Sequence, residues 1–355
     1  MARFHDLSPS FNTGELTPRL AARLDFTKYK SGLELMENLL PLPEGGAMRR
    51  AGTRYVASTK NQATEKARLK KFEFSTTQPY ILEFGKQYIR FYKNQGQITV
   101  AETDAFIQNG TFDSSAGGGW TNQSTGSSSS ISFDDTNNHL DLDGAGGGDL
   151  AIAEQQVFTS DTSQEHVIKF RVIGRAGDFL LFRVGTATDL ENTLSEFTAY
   201  VGYHCIAFTP TTSPFFIQFR NSLSKTVGLD DVSLIDNSAV EVGTPYTESQ
   251  LFEIEGPQSA DILYQFHNSH PTYKLERRGD STWSFVQVEW IDGPYLDLNN
   301  TSTTMTPAST DGFGIVVTAS ATTGINGGVG FKSTDVGRAL RIDNVASGVD
   351  WGWGV

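Results

Sequence analysis

Asn109-Gly110-Thr111-Phe112-Asp113 and Leu229-Asp230-Asp231-Val232-Ser233-Leu234 decide how the chain is read. About 120 residues apart, they look like the first and last strands of one β-sandwich. Firm strands are expected between them at 151–159, 166–173, 178–185, 198–208 and 215–221, with 227–235 closing the set. Strands at this spacing argue for two packed sheets. The first third of the stretch, with tracts at 114–119, 125–130 and 144–148, is poor in sequence complexity and reads as flexible and polar.

Outside 104–240 the pattern changes. Pro18 follows Thr17 as the first residue of a short helix, where its missing N–H costs nothing. Tyr29, Leu33, Met36 and Leu40 recur at helical spacing over 27–40, with Gly32 weakening the window. Strands are then expected at 53–57, 69–75, 80–84, 87–93 and 97–100, a small antiparallel meander. After 240, residues 247–250 form a capped turn. Strands follow at 260–267, 273–277, 281–290, 314–319 and 339–342, with a turn at 292–294. The expected architecture is mainly β: a discontinuous β-rich host domain with short N-terminal helices, and an inserted jelly-roll β-sandwich. Its parts are 1–103, 104–240 and 241–355, the last expected to end in mid-module. The insertion is expected to fold as a separable unit with its ends together.

Composition narrows the class. Gly 35 and Phe 24 in 355 residues favour a turn-rich β protein. No apolar run of about 18 residues exists to span a membrane as a helix. The single cysteine, Cys205, excludes an internal disulfide framework and fits synthesis in a reducing cytoplasm. The formal charge of −13 is unevenly spread: 16 Lys/Arg stand against 10 Asp/Glu through Thr103, 6 against 17 up to Val240, and 6 against 14 beyond. A basic first part on an acidic remainder gives head-to-tail contacts a complementary pair of surfaces.

A search for catalytic constellations finds none. Cys205 adjoins His204, but neighbours in a strand point to opposite faces. His267 and His270 flank a turn before Pro271. The glycine runs lack the lysine and helix of a phosphate loop. No acid pair lies in a hydrolytic context, so the expectation is a non-enzymatic protein.

Two resemblances are carried by particular residues. Ser8-Pro-Ser-Phe-Asn-Thr-Gly-Glu-Leu-Thr-Pro18, with Arg23, Asp25, Tyr29, Glu37-Asn38, Gly45-Gly46, Arg49-Arg50 and Gly52-Thr53-Arg54-Tyr55-Val56, resembles the opening of the nozzle proteins of short-tailed bacteriophages, the "tail tubular protein B"-like group. Thr244-Pro245-Tyr246-Thr247-Glu248, Gln258-Ser259-Ala260-Asp261, Lys274-Leu275, Asp335-Val336-Gly337-Arg338-Ala339-Leu340-Arg341-Ile342 and Trp351-Gly352-Trp353 fit the same group. The family implies a structural virion protein, made in the host bacterial cytoplasm. It would be a homo-oligomer forming a hexameric ring below the portal and adaptor. Its partners would be a head–tail adaptor protein and tail fibre or spike proteins. DNA would pass through during ejection without specific binding. The insertion, through Asn109 to Asp113, Gly119-Trp120 and Asp230 to Leu234, resembles carbohydrate-binding modules of the jelly-roll type, which implies a possible host surface glycan as partner. A carbohydrate-binding adhesin, or an ancillary module of a polysaccharide-degrading enzyme, is the alternative.

Site residues follow. In such modules the first and last strands often share Ca²⁺, which takes six to eight oxygens. Asp230, on the face of Val232 and Leu234 by strand alternation, and Asp113 beside it are either its ligands or solvated turn acids. Trp120, in a glycine-rich loop, is either an exposed platform for a sugar ring or packing over the end of the sandwich. Arg49, Arg50 and Arg54, with Lys66, Arg68, Lys70 and Lys71, are the basic clusters. They suit docking against an acidic neighbour better than lining a channel through which DNA must slide.

Overall fold

The computed structural model describes residues 8–75, 78–101, 104–113, 118–290, 299–309, 315–335, 340–344 and 349–354. The turn expected at 292–294 and the run 336–339 lie outside them. The chain divides into a compact unit, Met1–Glu289, and a second, Trp290–Val355. The second contains the strand pairs Met305–Pro307 with Val317–Ala319 and Leu340–Asn344 with Val349–Gly354.

In the first unit, β1 (Arg68–Ser75), β2 (Gln78–Gly85) and β3 (Tyr88–Lys93) make an antiparallel meander. The sandwich that follows contains β4 (Ser130–Asp134), β5 (His139–Asp143), β6 (Ala151–Val157), β7 (His166–Ile173) and β8 (Phe179–Gly185). It continues with β9 (Leu194–Tyr200), β10 (Gly202–Phe208), β11 (Phe215–Asn221) and β12 (Thr226–Leu234). The unit closes with β13 (Glu241–Gly243), β14 (Ile262–His267), β15 (His270–Arg277) and β16 (Trp283–Gln287).

Strands β5, β12, β7 and β10 lie side by side in one sheet, and β6, β11, β8 and β9 in the other. This alternation of consecutive strands between two sheets is the jelly-roll arrangement. Ile168, Phe170, Val172, Leu229 and Ile206 from one sheet meet Leu180, Phe182, Ile217 and Phe219 from the other. The expected strand 198–208 is two strands. At Val201 the chain leaves one sheet for the other, its N–H bonded to Asp178 and its carbonyl to Gln287 N–H, both at 2.9 Å. The tract read as flexible holds the hairpin β4–β5, whose Ile131, Phe133, Leu140 and Leu142 alternate inward.

The sheet does not stop at the jelly roll. Beyond β10 it continues through β16, β15 and β14. Strand β10 therefore has two buried faces. His204, Ile206 and Phe208 turn to the jelly-roll interior; Cys205, with Tyr203 and Ala207, turns to a second core. That core is closed by the sheet β13-β3-β2-β1, through Phe72, Leu82, Phe84, Ile89 and Phe91. Trp283 lies at its centre, stacked on Phe91 at 4.1 Å with its faces and edges enclosed by Phe72 and Tyr80. The result is three layers with one sheet common to both cores. The ends of the insertion do meet, since Thr99 bridges Ala239 and Val100 N–H bonds Ser238 at 2.9 Å. Its strand β10 also pairs with β16, so the insertion and the part that follows share one sheet.

The N-terminal helices do not form. Single 3₁₀ turns occur at Pro18–Leu20 and Tyr29–Ser31. Ala22 and Asn38 take positive φ, which ends any helix at each. Gly32–Leu33 instead pairs in parallel with Gly14–Glu15, and Leu39–Pro41 makes a hairpin with Ala47–Arg49. Residues 51–59 are not a strand. Neither is 109–113, where Asn109 and Phe112 have positive φ, although Gly110 accepts a bond from Val232 N–H at 2.8 Å.

Gly202 opens β10 at φ 141°, paired with Val286. A Cβ there would stand 2.3 Å from the Phe285 carbonyl oxygen and 2.7 Å from Val286 Cα. Gly202→Val is therefore expected to destabilise the protein by about 1–3 kcal/mol through backbone strain alone, and further through the clash. The denaturant midpoint measures it. Both cores should be lost in one transition, followed by Trp fluorescence, to which Trp120 in the jelly roll and Trp283 in the second core both contribute, and by proteolysis.

Candidate functional site

The hairpin Leu39–Pro41/Ala47–Arg49 leaves every one of its side chains exposed. Leu39 faces Arg49 across it, and Leu40 faces Met48. Around it, Leu24 and Tyr55 are each 76% exposed and Leu35 64%, with Phe26, Leu40, Met48 and Val56 also in the open. Burying such side chains contributes roughly 1.5–3 kcal/mol each, so a run of them in water marks a surface that expects a partner. Arg49, Arg50 and Arg54 are exposed along the same segment. Arg50 is tied down: its Nε donates to Asn38 Oδ1 at 2.7 Å and its Nη1 to the Ala51 carbonyl at 3.2 Å. These three arginines thus sit among exposed apolar side chains.

The other basic cluster does not. Arg68 donates to the carbonyls of Leu251 and Ile254 at 2.9 and 2.8 Å, closing a loop end. Lys70 lies over the Phe84 ring, and burial brings its pKa down to about 8. Lys71 pairs with Glu73 at 2.6 Å.

Asp230 does not share a face with Val232. Leu229 and Val232 both enter the core, so an extra residue must lie between them. It is accommodated by a bulge, with Asp231 at φ 53° and the β7–β12 register shifting between Lys169 and Arg171. Asp230 is thereby turned to the outer face, opposite Arg171, and burial raises its pKa. Asp113 is exposed and accepts from the Thr111 hydroxyl at 2.7 Å. The calcium pairing of Asp113 with Asp230 thus loses the alternation on which it rested. Among the described residues the cluster with metal-ligand spacing is Asp134, His139 and Asp141, its ligand atoms within 4.8 Å of one another. Its donor set of one imidazole and two carboxylates differs from the all-oxygen shell of calcium.

Trp120 is 8% exposed. Its ring meets Phe112 and Phe219, and its Nε1 donates to the Asn109 carbonyl at 3.2 Å. It packs over the end of the sandwich, and it offers no face to a sugar.

A polar cleft that the sequence did not disclose crosses the outer face of the five-stranded sheet. Glu154, Gln218 and Arg183 stand in one row on β6, β11 and β8. All three are at least 94% buried. Gln218 Nε2 donates to Glu154, Arg183 Nε to Gln218 Oε1 at 2.6 Å, and Arg183 Nη2 to Asp189. Thr188 adds a hydroxyl to Glu154 at 3.0 Å. A cavity of about 170 Å³ opens beside this row, lined by Gln218 of the row together with Thr188, Asp189, Gln123, Thr125 and Ile152. Fixed donors and acceptors of this kind suit a polyhydroxylated ligand. Gln218 and Arg183 each sit at an outward position between apolar neighbours, and that alternation was the available signal.

His204 and Cys205 do diverge as strand geometry requires. His204 bonds Ser284 Oγ at 2.9 Å and the Tyr200 carbonyl at 2.7 Å, stacked on Phe170. Burial drives its pKa down to about 4 and pushes the Cys205 thiol up to about 12, so neither is an active nucleophile or base. The unfolded chain binds a proton at His204 below about pH 6.5, and the folded chain refuses it until about 4. Stability is therefore full above pH 6.5 and falls as pH drops toward 4, by on the order of 3 kcal/mol from this residue. Denaturant midpoints between pH 7.5 and 4 should show that slope, and His204→Phe should reduce it by one proton.

No protein-family model matches the chain, and no curated protein matches it significantly. Solved structures similar over part of it include the enzymatically active domain of bacteriophage CBA120 tailspike protein 4, at 15% identity and TM-score 0.28 over 36% of this chain and 21% of that one. A family 29 carbohydrate-binding module from Piromyces equi aligns at 14% identity and TM-score 0.24, over 39% of this chain and 88% of the module. The family 11 module from Clostridium thermocellum, solved with a mixed-linked β-1,3-1,4 tetrasaccharide, aligns at 11% and 0.25, over 40% and 98%. The chain thus spans about a fifth of the tailspike domain. These alignments are about a jelly roll long and say nothing of this chain's ligand.

Proposed function

We propose that the protein is a non-enzymatic structural component of a bacteriophage tail, joined to further copies of itself through the N-terminal arm. The observation that carries this reading is the arm: a stretch from Leu24 to Val56 with eight large apolar side chains in water and Arg49, Arg50 and Arg54 among them. The segments resembling tail nozzle proteins include this same stretch. A second copy is the occupant that the charges favour, since residues through Thr103 carry net +6 and the rest net −19. Contacts from arm to acidic body are heterologous, and such contacts close into rings. In this reading the ring is hexameric and stacks on the head–tail adaptor. It holds tail fibre or spike proteins and passes DNA without reading it. Apolar burial supplies the attraction, and charge, screened over about 8 Å at physiological salt, tunes encounter.

Sedimentation of the purified chain tests this. The wild type is expected to associate into a discrete ring at micromolar concentration. Leu39→Ser with Leu40→Ser should leave monomers with unchanged circular dichroism, and Arg49→Glu with Arg50→Glu should slow assembly by about tenfold or more at low salt. A wild type that stays monomeric at 100 times that concentration overturns the proposal.

The cleft of Glu154, Gln218 and Arg183 favours a second role on the same molecule, as a glycan-binding adhesin or the binding module of a polysaccharide-degrading enzyme. Affinity electrophoresis through neutral and acidic bacterial polysaccharides should retard the wild type, and Gln218→Leu should abolish the retardation. Equal migration in every gel removes the glycan from the reading.

A further inference from the structure

A second cavity, of about 320 Å³, lies where the outer face of β7, β10 and β12 meets β13 and the turn before β3. It is made by jelly-roll and host residues together, so neither part possesses it alone. Glu241 on its wall receives Lys60, Lys169 and Arg90 at 2.8, 3.0 and 3.1 Å. Three cations thus converge on one carboxylate, while on the cavity's own lining Lys169 and Arg171 are matched in number by Glu241 and Asp231.

Arg171 is the lining cation without a direct acidic partner. Its guanidinium lies over the Tyr203 ring, 5.4 Å from the centroid. Among the described residues no carboxylate comes within 4 Å of it, although Asp230 opposite acts on it from further away and Asp231 lines the same cavity. Gly243 also lies against the Tyr203 ring, where a Cβ would stand 2.5 Å from its Cδ1. With the Tyr203 ring beneath it and no carboxylate within 4 Å among the described residues, the guanidinium of Arg171 has a planar edge that can hold a carboxylate by two parallel bonds.

The third observation is Thr244. It is 2% exposed, it lines this cavity, and its Oγ1 has no hydrogen-bond partner. A buried hydroxyl is nearly always satisfied in a native protein. Ser233 lines the same space with another hydroxyl. We infer that this junction cavity binds a carboxylate-bearing sugar, its carboxylate on Arg171 beside Lys169 and a ring hydroxyl on Thr244. The volume fits one monosaccharide ring and excludes a longer chain from the interior. The ligand is either a free uronate or the terminal residue of an acidic polysaccharide. The cavity is separate from the Glu154 cleft, and the inference stands whether or not that cleft binds glycan.

The test titrates the full chain with sodium glucuronate, glucose, sodium acetate and an oligogalacturonate, read by calorimetry and by melting temperature. Glucuronate is expected to bind at millimolar or lower concentration and raise the melting temperature, with glucose inert and acetate weaker. Tighter binding of the oligogalacturonate than of glucuronate assigns the polymer end; equal or weaker binding assigns the free sugar. Arg171→Gln should weaken glucuronate at least tenfold. Thr244→Val, nearly isosteric, should fold at least as stably as the wild type and weaken glucuronate about fivefold, so a failure of Arg171→Gln to fold leaves the test intact. No heat or melting shift with glucuronate at 20 mM overturns the inference. So does binding that glucose matches, or that Thr244→Val leaves unchanged.

Discussion

The pairing of Gly202–Phe208 with Trp283–Gln287 is the constraint on which the first unit depends. A strand at the edge of a jelly roll ordinarily leaves a row of backbone groups open, a liability that proteins cover or blunt. Here that row bonds the next part of the chain, and the same strand presents a side-chain face to each of two cores. Removing its apolar character on either face would empty one core while leaving the other's half of the strand intact. That is why the sequence Tyr203-His-Cys-Ile-Ala-Phe208 is apolar almost throughout, where an ordinary half-exposed strand would alternate.

Much of the β architecture could be read from the chain. His166–Ile173 and Phe215–Asn221 have the expected bounds, because each is a run of inward aromatic or branched residues between turn signals. What failed were places where a local rule competes with a tertiary one. The spacing of Tyr29, Leu33, Met36 and Leu40 is helical, yet Gly32 and Asn38 permit extended pairing and positive φ, and the chain takes those instead. Asp230 was assigned by strict alternation, which a one-residue bulge at Asp231 reverses. The hairpin β4–β5 was hidden because its neighbours are serine and glycine tracts. Trp120 was legible only as a pair of alternatives, since a loop tryptophan with glycines on one side serves packing or binding equally well.

Polar groups show the same division. The resemblance to sugar-binding jelly rolls drew attention to Asp113, Trp120 and Asp230, whereas the buried polar row lies elsewhere on the same sandwich. Glu154, Arg183 and Gln218 are 29 to 64 residues apart and neighbours only through sheet register, so no short motif contains them. Lys169, Arg171, Glu241 and Thr244 converge only because the sheet runs on past the insertion, a feature of topology that spacing along the chain cannot express. The arginines at 49, 50 and 54 stand out because they are close in sequence, and the exposure of the apolar side chains beside them follows from there being no helix to bury them.

The common sheet also removes a degree of freedom. Two domains joined by a linker swing relative to each other, whereas here nine strands continue from one sandwich into the other with no hinge between them. Neighbouring strands rotate by roughly 20–25° in a fixed sense, so the direction in which the jelly roll faces, and with it the outer cleft on its second sheet, is set by the number of strands of the common sheet between it and β14. Every copy of the molecule must carry that cleft at the same inclination. Adding or deleting a single strand at the junction would turn it by one such step, which makes strand count, more than linker length, the variable that aims the molecule.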